Sequence, residues 1–268
     1  MAMAQTETAR TAGTFGELLR EWRQRRRRSQ LELAVEAGVS ARHVSFLETG
    51  RARPSREMVV HLAEHLGVPL RERNTVLMAA GFAPAYPERS MDEPEMAQVR
   101  RAVDLVLKAQ EPYPAVAVDR YWNVVLTNAA TGLFLEGIGA ELLGPPTNAY
   151  RVGLHPDGLA RRVINFDEYA HHLVARLRHD VSVSFDPGLV ALLEEVERYP
   201  NVAALATPPP SRGSVVLPIR LRHGSGELAL FSTITTFGTP IDVTVAELAI
   251  ESFFPADAHT AEVLRGAG

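Results

Sequence analysis

Side chains that can hydrogen-bond to a polar or polyanionic partner are concentrated between positions 30 and 53. In a helix over residues 41–49, Val44 and Leu47 lie on the buried face. The outward face then carries Ala41, Arg42, Ser45 and Phe46. A guanidinium has a planar fork of N–H donors that fits the paired acceptors of guanine, and methyl or phenyl groups can contact the methyl of thymine. Gln30 begins the preceding helix, where its side chain and the backbone N–H groups can reach a phosphate.

Capping residues and turns are predicted to hold this outward face in place. Ser29 can cap the helix before it, with Glu32 three residues on in the position of a capping box, and Gly38 ends that helix. Ser40 can cap the next helix. Apolar residues at three-and-four spacing predict one further helix before this pair and two after it. Residues 14–81 therefore predict an all-α domain of five helices.

Charge is distributed unequally along the 268 residues. Residues 1–90 contain 14 Arg, no Lys and 10 Asp or Glu, a net charge of +4, which leaves −8 for the remainder. A basic part joined to an acidic part indicates a polyanionic partner for the N-terminal part alone.

Cysteine content and hydropathy narrow the class of protein. The chain has no cysteine, which excludes disulfides and thiolate metal sites. No stretch approaches the ~18 unbroken apolar residues of a membrane span, and the N-terminus has no apolar run of signal-peptide length. We therefore expect a cytoplasmic protein that does not enter the membrane and is long enough for two domains.

The second half of the sequence mixes predicted strands with predicted helices. Prolines and charges over residues 83–94 indicate a linker. β-branched and aromatic residues predict strands over 116–126, 215–221 and 228–236. Apolar periodicity predicts helices over 95–110, 128–136, 167–179, 187–198 and 244–252. An α+β fold is expected.

Catalytic and metal-binding motifs are absent from this second half of the sequence. It has no Gly-rich phosphate loop, no His-x-Glu-x-x-His pattern and no Gly-x-Ser-x-Gly elbow. Histidines at positions 155, 171, 172, 179 and 223, among others, are scattered. We therefore expect neither an enzyme nor a metal site.

Residues 29–55 contain, in order, Ser-Gln, Leu-Ala, Ala-Gly-Val-Ser, Leu-Glu-x-Gly-Arg and Pro-Ser. This pattern resembles the lambda-repressor-like, or XRE-type, helix-turn-helix family. The resemblance implies that the helix over 41–49 enters the major groove of double-stranded DNA and that its N-terminal part meets base edges. It also implies an internal ion pair between Arg23 and Glu48. The residues expected to contact DNA are Gln30, Ser40, Ala41, Arg42, His43, Ser45, Phe46, Arg51 and Arg53, with the last two in a phosphate-contacting loop.

Some features of this region allow two interpretations. Arg25-Arg26-Arg27-Arg28 is either a nonspecific phosphate patch or a soluble helix end favoured by the helix dipole. Phe46 either contacts DNA or packs on the neighbouring turn, because an exposed aromatic ring is costly in the free protein. A protein partner in place of DNA is a further alternative.

Segments of the second half carry another pattern, with Tyr-Trp-Asn-Val-Val at 121–125, Leu-His-Pro-Asp-Gly-Leu at 154–159 and Asn-Phe-Asp-Glu-Tyr-Ala at 165–170. Matching segments follow in the same order at 217–222, 235–244 and 247–257. Together they resemble the MmyB-like ligand-binding domain found behind XRE-type helix-turn-helix domains in bacterial regulators. One departure is Phe166, where that family often has Trp.

The resemblance implies a PAS-like sensor, in which helices close an apolar cavity over a curved antiparallel sheet. It implies no cofactor but a hydrophobic small-molecule ligand, with a fatty acid or another apolar molecule as the expected class. Aromatic walls suit an apolar guest. The candidate lining residues are Trp122, Phe134, Phe166, Phe231 and Phe237. Each of these rings has the alternative role of plain core, and the cavity has the alternative of being collapsed.

The combined prediction is a sequence-specific DNA-binding transcriptional regulator modulated by that ligand. Its predicted parts are a disordered tail (1–13), the helix-turn-helix domain (14–82), a linker (83–94) and a ligand-binding and dimerisation domain (95–268). A homodimer on a palindromic operator is expected, because one small head rarely makes enough contact for specific affinity. The alternatives are an enzyme fused to a DNA-binding head, and a second domain that only dimerises or binds a protein partner.

Overall fold

The computed structural model describes residues 13–206 and 218–266. The chain divides into two compact units. The first runs to Arg89 and also includes Pro240–Ala246, and the second contains Ser90–Thr239 with the residues from Glu247 onward. The tail predicted to be disordered lies, apart from its last residue, outside the described residues.

Helices make up the N-terminal part of the first unit. They are α1 (Phe15–Arg25), α2 (Gln30–Glu36), α3 (Ala41–Glu48), α4 (Arg56–His65) and α5 (Leu70–Ala79). The predicted caps are present, since Ser29 accepts the backbone N–H of Glu32 and Ser40 accepts that of His43, both at 3.1 Å. Gly38 follows α2 with a φ of +64°, which glycine adopts without the strain a side chain would cause. The all-α prediction for this part is confirmed.

The core of the first unit takes a leucine from each of four helices. Leu33, Leu62 and Leu77 have no exposed surface, and Leu47 is 1% exposed. Because Leu47 belongs to α3, burying it fixes which side of α3 faces the solvent. The packing thus decides the outward face of this helix.

A segment from late in the chain completes the first unit. The backbone N–H of Val243 donates to the carbonyl of Pro87 at 2.8 Å, and Arg89 pairs with Asp242 at 2.8 Å. Val243 has no exposed surface. The segment 240–246 is therefore built into this unit rather than lying over it as a surface loop.

The second unit is built on an antiparallel sheet. Its described strands are β1 (Ala115–Val118), β2 (Val124–Thr127), β3 (Ile219–His223), β4 (Gly226–Thr236) and β5 (Ala249–Pro255). Its helices are α6 (Ala97–Ala109), α7 (Gly132–Leu135), α8 (Ala149–Leu154), α9 (Phe166–Ser184), α10 (Pro187–Glu197), α11 (Pro200–Ala203) and α13 (Ala258–Gly266), while α12 (Val243–Ala246) belongs to the first unit. Short 3-10 turns lie at Pro94–Met96, Ala129–Thr131, Ala140–Leu142 and Leu159–Arg161.

Both faces of the sheet centre are covered by helices. The order is β2-β1-β5-β4-β3, and each strand is antiparallel to its neighbours. Val116 and Val118 pack in a cluster with residues of α9 and α10, whereas Ala115 and Ala117 pack against residues of α6. This order, with helices inserted between β2 and β3, gives the PAS-like α+β fold that the sequence predicted.

The helix predicted over residues 244–252 is wrong. Val243–Ala246 makes a single helical turn, and Ala249–Pro255 forms β5, which pairs with β1 on one side and β4 on the other. Alanine, leucine and glutamate in this stretch favour a helix. Hydrogen bonding to two neighbouring strands at the centre of a sheet overrides that preference.

The strand predicted over residues 116–126 is interrupted by a turn. Oδ1 of Asp119 accepts the backbone N–H groups of Tyr121 and Asn123, both at 2.8 Å, and Trp122 takes a φ of +64°. The aspartate thus stabilises the reversal that leads from β1 into β2. Of the strand predicted over 215–221, residues 215–217 lie outside the described residues and the end lies in β3.

The substitution Gly16→Ala is expected to destabilise the first unit. A Cβ at Gly16 would lie 2.6 Å from the carbonyl oxygens of Leu47 and Glu48, so the backbone of α1 or α3 would have to shift. Overpacking of this kind costs about 1–3 kcal/mol in free energy of unfolding, measurable by urea denaturation. The matched control is Gly132→Ala, at a helical position with no atom within 4 Å, and it is expected to cost nothing. Equal stability of the two variants would contradict the close approach of α1 to α3.

Candidate DNA-binding surface and ligand cavity

Helix α3 presents the outward face that the sequence predicted. Val44 has no exposed surface and Leu47 almost none, so this side of α3 is closed against the core. Of the residues predicted to contact DNA at this helix, Ser40 and Arg42 are exposed, and Ala41, His43, Ser45 and Phe46 are half-buried. The structure therefore brings these side chains together at one surface of α3, although Ala41 also packs against the core.

Phe46 brings two predicted DNA-contacting arginines together over its ring. The Cζ atom of Arg42 lies 5.1 Å from the ring centroid, and that of Arg51 lies 6.0 Å from it. Such cation–π contacts contribute about 0.5–1 kcal/mol at exposed sites. The backbone N–H of Arg51 also donates to the carbonyl of Phe46 at 2.8 Å. In the free protein Phe46 thus packs against the neighbouring turn, and its contact with DNA stays a prediction.

The carboxylate of Glu48 joins the first three helices. Arg23 of α1 donates from Nε to Oε1 at 2.6 Å and from a terminal nitrogen to Oε2 at 2.9 Å. Gln30 of α2 donates from Nε2 to Oε2 at 2.8 Å. The ion pair that the resemblance implied between Arg23 and Glu48 is confirmed, and the side chain of Gln30 is directed inward as part of the same network.

Burial and hydrogen bonding act in opposite directions on Glu48, whose side chain is 2% exposed. Burial raises the pKa of Glu48, but the hydrogen bonds from Arg23 and Gln30 outweigh it and hold this pKa below its ordinary value. The charged form is therefore the one that the fold stabilises.

The arginine run at 25–28 is engaged in contacts within the protein. Arg25 pairs with Glu21 on α1, and Arg26 donates to the carbonyls of Leu66 and Gly67, both at 2.9 Å. Those carbonyls lie at the C-terminal end of α4, where they have no partner within the helix. Arg26 thus has a structural role between α1 and α4, which neither of the two interpretations of the run included.

The second unit contains a cavity of about 520 Å³. This volume falls within the range of small-molecule sites. Its apolar wall comes from the sheet through Val116, Val124, Ile219, Leu230 and Phe253, and from helices and turns through Trp122, Phe134, Leu135, Leu143, Ala149, Val152, Leu159 and Leu173. The arrangement can take up a largely apolar molecule.

Two of the predicted lining aromatics, Trp122 and Phe134, belong to the cavity wall. Trp122 reaches it from the turn between β1 and β2, where its left-handed backbone conformation aims the ring. Phe134 reaches it from α7 and packs edge-on against Phe253, with 4.7 Å between the ring centroids. Both rings are 8% exposed.

The other predicted aromatics do not line the cavity. Phe231 follows the lining residue Leu230 on β4, and strand alternation turns its ring to the opposite face, where it stacks on Phe254 at 5.5 Å. Phe166 packs into two clusters of the core, and Phe237 packs with the cluster beside α6. For Phe166 and Phe237 the core interpretation holds, whereas Phe231 is half-buried in its pair with Phe254.

Polar side chains that the sequence analysis missed gather at one part of the cavity wall. A terminal nitrogen of Arg176 on α9 lies 3.4 Å from Oε1 of Glu251 on β5, and Ser232 on β4 donates to the same oxygen at 2.8 Å. The guanidinium of Arg176 lies 4.0 Å from the ring centroid of Trp122. Helical spacing places Arg176 three residues after Leu173, but no sequence signal connects it to a strand 75 positions away.

Two tyrosines also line the cavity. Burial raises the pKa of both Tyr150 and Tyr169, so their hydroxyls stay protonated at neutral pH. The hydroxyl of Tyr150 is buried and has no hydrogen-bond partner within the described residues. Gly153 permits the approach of α9, since a Cβ there would lie 2.8 Å from the hydroxyl of Tyr169.

The model of the MmyB-like transcription regulator ligand binding domain matches residues 99–267 of the chain, which is more than half of its length. The chain belongs to this family. A helix-turn-helix domain model matches residues 14–76, which include α3 and its neighbours. This MmyB-like regulator is therefore a DNA-binding transcription regulator with a ligand-binding domain, as its two sequence patterns indicated.

Comparisons with individual proteins add little. A solved structure of an RNA-binding light-oxygen-voltage receptor matches 99% of this chain and 67% of its own, with 14% identity and a TM-score of 0.28. That similarity is too low to bear on fold or function. No curated protein matches the chain significantly.

The described part of the chain contains neither a helix that could span a membrane nor a cluster that could hold a metal ion. None of its helices there has both the length and the apolar character needed to cross a membrane. Within the same residues, no group of three or more His, Asp or Glu side chains is placed to hold a metal ion.

The substitution Glu48→Ala is expected to destabilise the first unit by about 3–5 kcal/mol, because it leaves Arg23 buried without its partner. The stabilisation by Glu48 is present above the unfolded-state pKa of glutamate, about 4.3, and is lost as the pH falls through the lower pKa of the folded state. The gap between wild type and variant should therefore close in acid. Urea denaturation followed by Trp22 fluorescence, in a Trp122→Phe background, measures both.

Glu64→Ala is the matched control, since its partner Arg73 lies 3.3 Å away and the Glu64 side chain is 54% exposed. A surface pair of this kind is expected to contribute less than about 0.5 kcal/mol. Equal losses for Glu48→Ala and Glu64→Ala would show that the buried network does not hold α3.

Proposed function

We propose that this MmyB-like regulator recognises a specific operator through α3 and that an apolar small molecule in its cavity modulates DNA binding. The observation that carries the ligand part is the cavity itself, about 520 Å³ in volume and lined mostly by aliphatic and aromatic side chains. The proposed occupant is an apolar molecule of about the size of a fatty acid.

Arg42 is the residue proposed to read a base. It is exposed at the N-terminal end of α3, the part of a recognition helix that meets base edges, and the ring of Phe46 supports its guanidinium. Arginine donates two parallel hydrogen bonds to guanine. His43 and Ser45 are proposed to approach neighbouring bases.

Phosphate contacts are proposed on both sides of this reading surface. Arg51 and Arg53 are exposed in the turn after α3. At the start of α2, Gln30 gives its side-chain N–H to Glu48, so its contribution is the backbone N–H at the helix end. Such contacts fix the register of the protein on the duplex.

A homodimer is proposed as the form that binds the operator. One helix-turn-helix head covers a half-site, and specific affinity at physiological salt usually needs two of them. A ligand that binds one arrangement of the dimer better than another would shift the population towards it and so change operator affinity. The protein is proposed to act in the cytoplasm.

Arg42→Ala is expected to weaken operator binding by about 1–3 kcal/mol and to relax preference at one base position. The operator is first selected from a random duplex library with the wild-type protein, and affinities are then measured by fluorescence anisotropy. The matched control, Arg101→Ala, removes an exposed helical arginine from α6 and is expected to leave affinity unchanged. Equal loss on operator and random duplex would make Arg42 a phosphate contact instead.

The cavity is expected to hold a co-purifying apolar compound, which native mass spectrometry followed by organic extraction would detect. Leu173→Trp adds bulk to the cavity wall and should displace the compound while DNA binding persists. Leu105→Trp, at a side chain 70% exposed on α6, is the matched control and should retain it. Protein that is empty and also binds no added fatty acid or alcohol would favour the alternative, a second domain that only dimerises or binds a protein partner.

A further inference from the structure

The charges in the cavity wall cancel each other. Among the described lining residues, the acidic and basic side chains are Arg176, Glu251 and His172, of which His172 is exposed to solvent. The side chains of Arg176 and Glu251 are 18% and 12% exposed and lie 3.4 Å apart. The wall therefore offers no uncompensated positive charge from its buried residues.

Arg176 is held by several neighbours at once. Its guanidinium lies over the Trp122 ring at 4.0 Å and pairs with Glu251. A second carboxyl, that of Asp180, lies one helical turn further along α9. Burial raises the pKa of Asp180, and Arg176 opposes that rise. A ligand carboxylate could use the guanidinium only by competing with groups that already surround it.

Hydrogen-bonding capacity at this place is nevertheless unused. Ser232 and Arg176 both donate to Oε1 of Glu251, whereas Oε2 accepts no hydrogen bond from a described residue. The hydroxyl of Tyr150 is buried without a partner in the same part of the chain. Tyr150 lines the same cavity as Arg176 and Glu251. Oε2 of Glu251 can accept a hydrogen bond, and the protonated hydroxyl of Tyr150 can donate one. Together they suit an uncharged ligand group that both donates and accepts.

We propose that the cavity selects apolar molecules whose polar group is an uncharged hydroxyl, and that Glu251 is the residue that rejects carboxylates. A ligand hydroxyl can donate to Oε2 of Glu251, and the Tyr150 hydroxyl in the same cavity wall can donate to a ligand oxygen. A ligand carboxylate has no proton to donate and would lie against Glu251 in a poorly solvated site. Taking Arg176 away from Glu251 would leave that buried carboxylate without a cationic partner, with only the hydrogen bond from Ser232. The inference rests on the proposed function, because it concerns the same cavity.

Two ligands with the same chain test the proposal in the full-length protein. Isothermal titration calorimetry at about pH 8, where decanoic acid is ionised, compares 1-decanol with decanoate. The alcohol is expected to bind at least about tenfold more tightly. Decanoate binding as tightly as decanol, or more tightly, would overturn the proposal while supporting an apolar-ligand site. If neither ligand binds, both the selectivity and the proposed ligand response fail.

Glu251→Gln tests the residue that is held responsible. The substitution keeps the shape and removes the negative charge, so Arg176 becomes available and decanoate affinity should rise about tenfold while decanol affinity changes little. Glu227→Gln, in an exposed pair with Arg220 at 2.6 Å, is the matched control and should change neither affinity. A decanoate affinity that does not rise in folded Glu251→Gln protein would contradict the assigned role. The comparison of ligands in the wild-type protein stands independently of whether this variant folds.

Discussion

The carboxylate of Glu48 lies where three helices meet, and the geometry of the proposed DNA-binding face depends on it. Arg23 and Gln30 reach it from α1 and α2, and Glu48 itself is the last residue of α3. A buried carboxylate with all its partners fixes orientation more strictly than apolar contacts do, because hydrogen bonds are directional. The outward position of Arg42 on the same helix follows from this constraint together with the burial of Leu47.

A comparable constraint shapes the cavity, through the central position of β5 in its sheet. Successive residues of β5 face opposite sides, so Ile250 packs with the cluster beside α6 whereas Glu251 faces the cavity. The cavity therefore has a charged residue in the central strand of the sheet, which is hydrogen-bonded to a strand on each side. Pairing with β1 and β4 fixes the backbone position of Glu251, so ligand binding is not expected to shift it.

The sequence predicted best those features that are encoded locally. The start of α2 is indicated by Ser29 with Glu32, and that of α3 by Ser40, in each case within four residues of sequence. The family motif then identifies the candidate DNA-binding surface. The helix expected over 244–252 failed because strand pairing with distant segments outweighs local preference.

Cavity walls are harder to predict, because they form where distant segments meet. Trp122 and Phe134 were found from their residue type, but Phe231 has the same type and faces the other way. Arg176 and Glu251 meet from a helix and a strand that no periodicity connects. Residues 240–246 likewise lie within the second predicted domain, yet they group with the first unit.

That grouping bears on how such a regulator can diversify. The chain leaves the helical unit after Arg89, returns to it at Pro240 and leaves again after Ala246. Recombination that exchanged the DNA-binding head as a contiguous cassette would separate Val243 from Pro87 and Asp242 from Arg89. In a transplanted head, the surface around Pro87 and Arg89 would lack the segment 240–246 that packs there, unless the new sensor domain supplied an equivalent segment. Heads and sensors of this type are therefore expected to be inherited together rather than shuffled as independent modules.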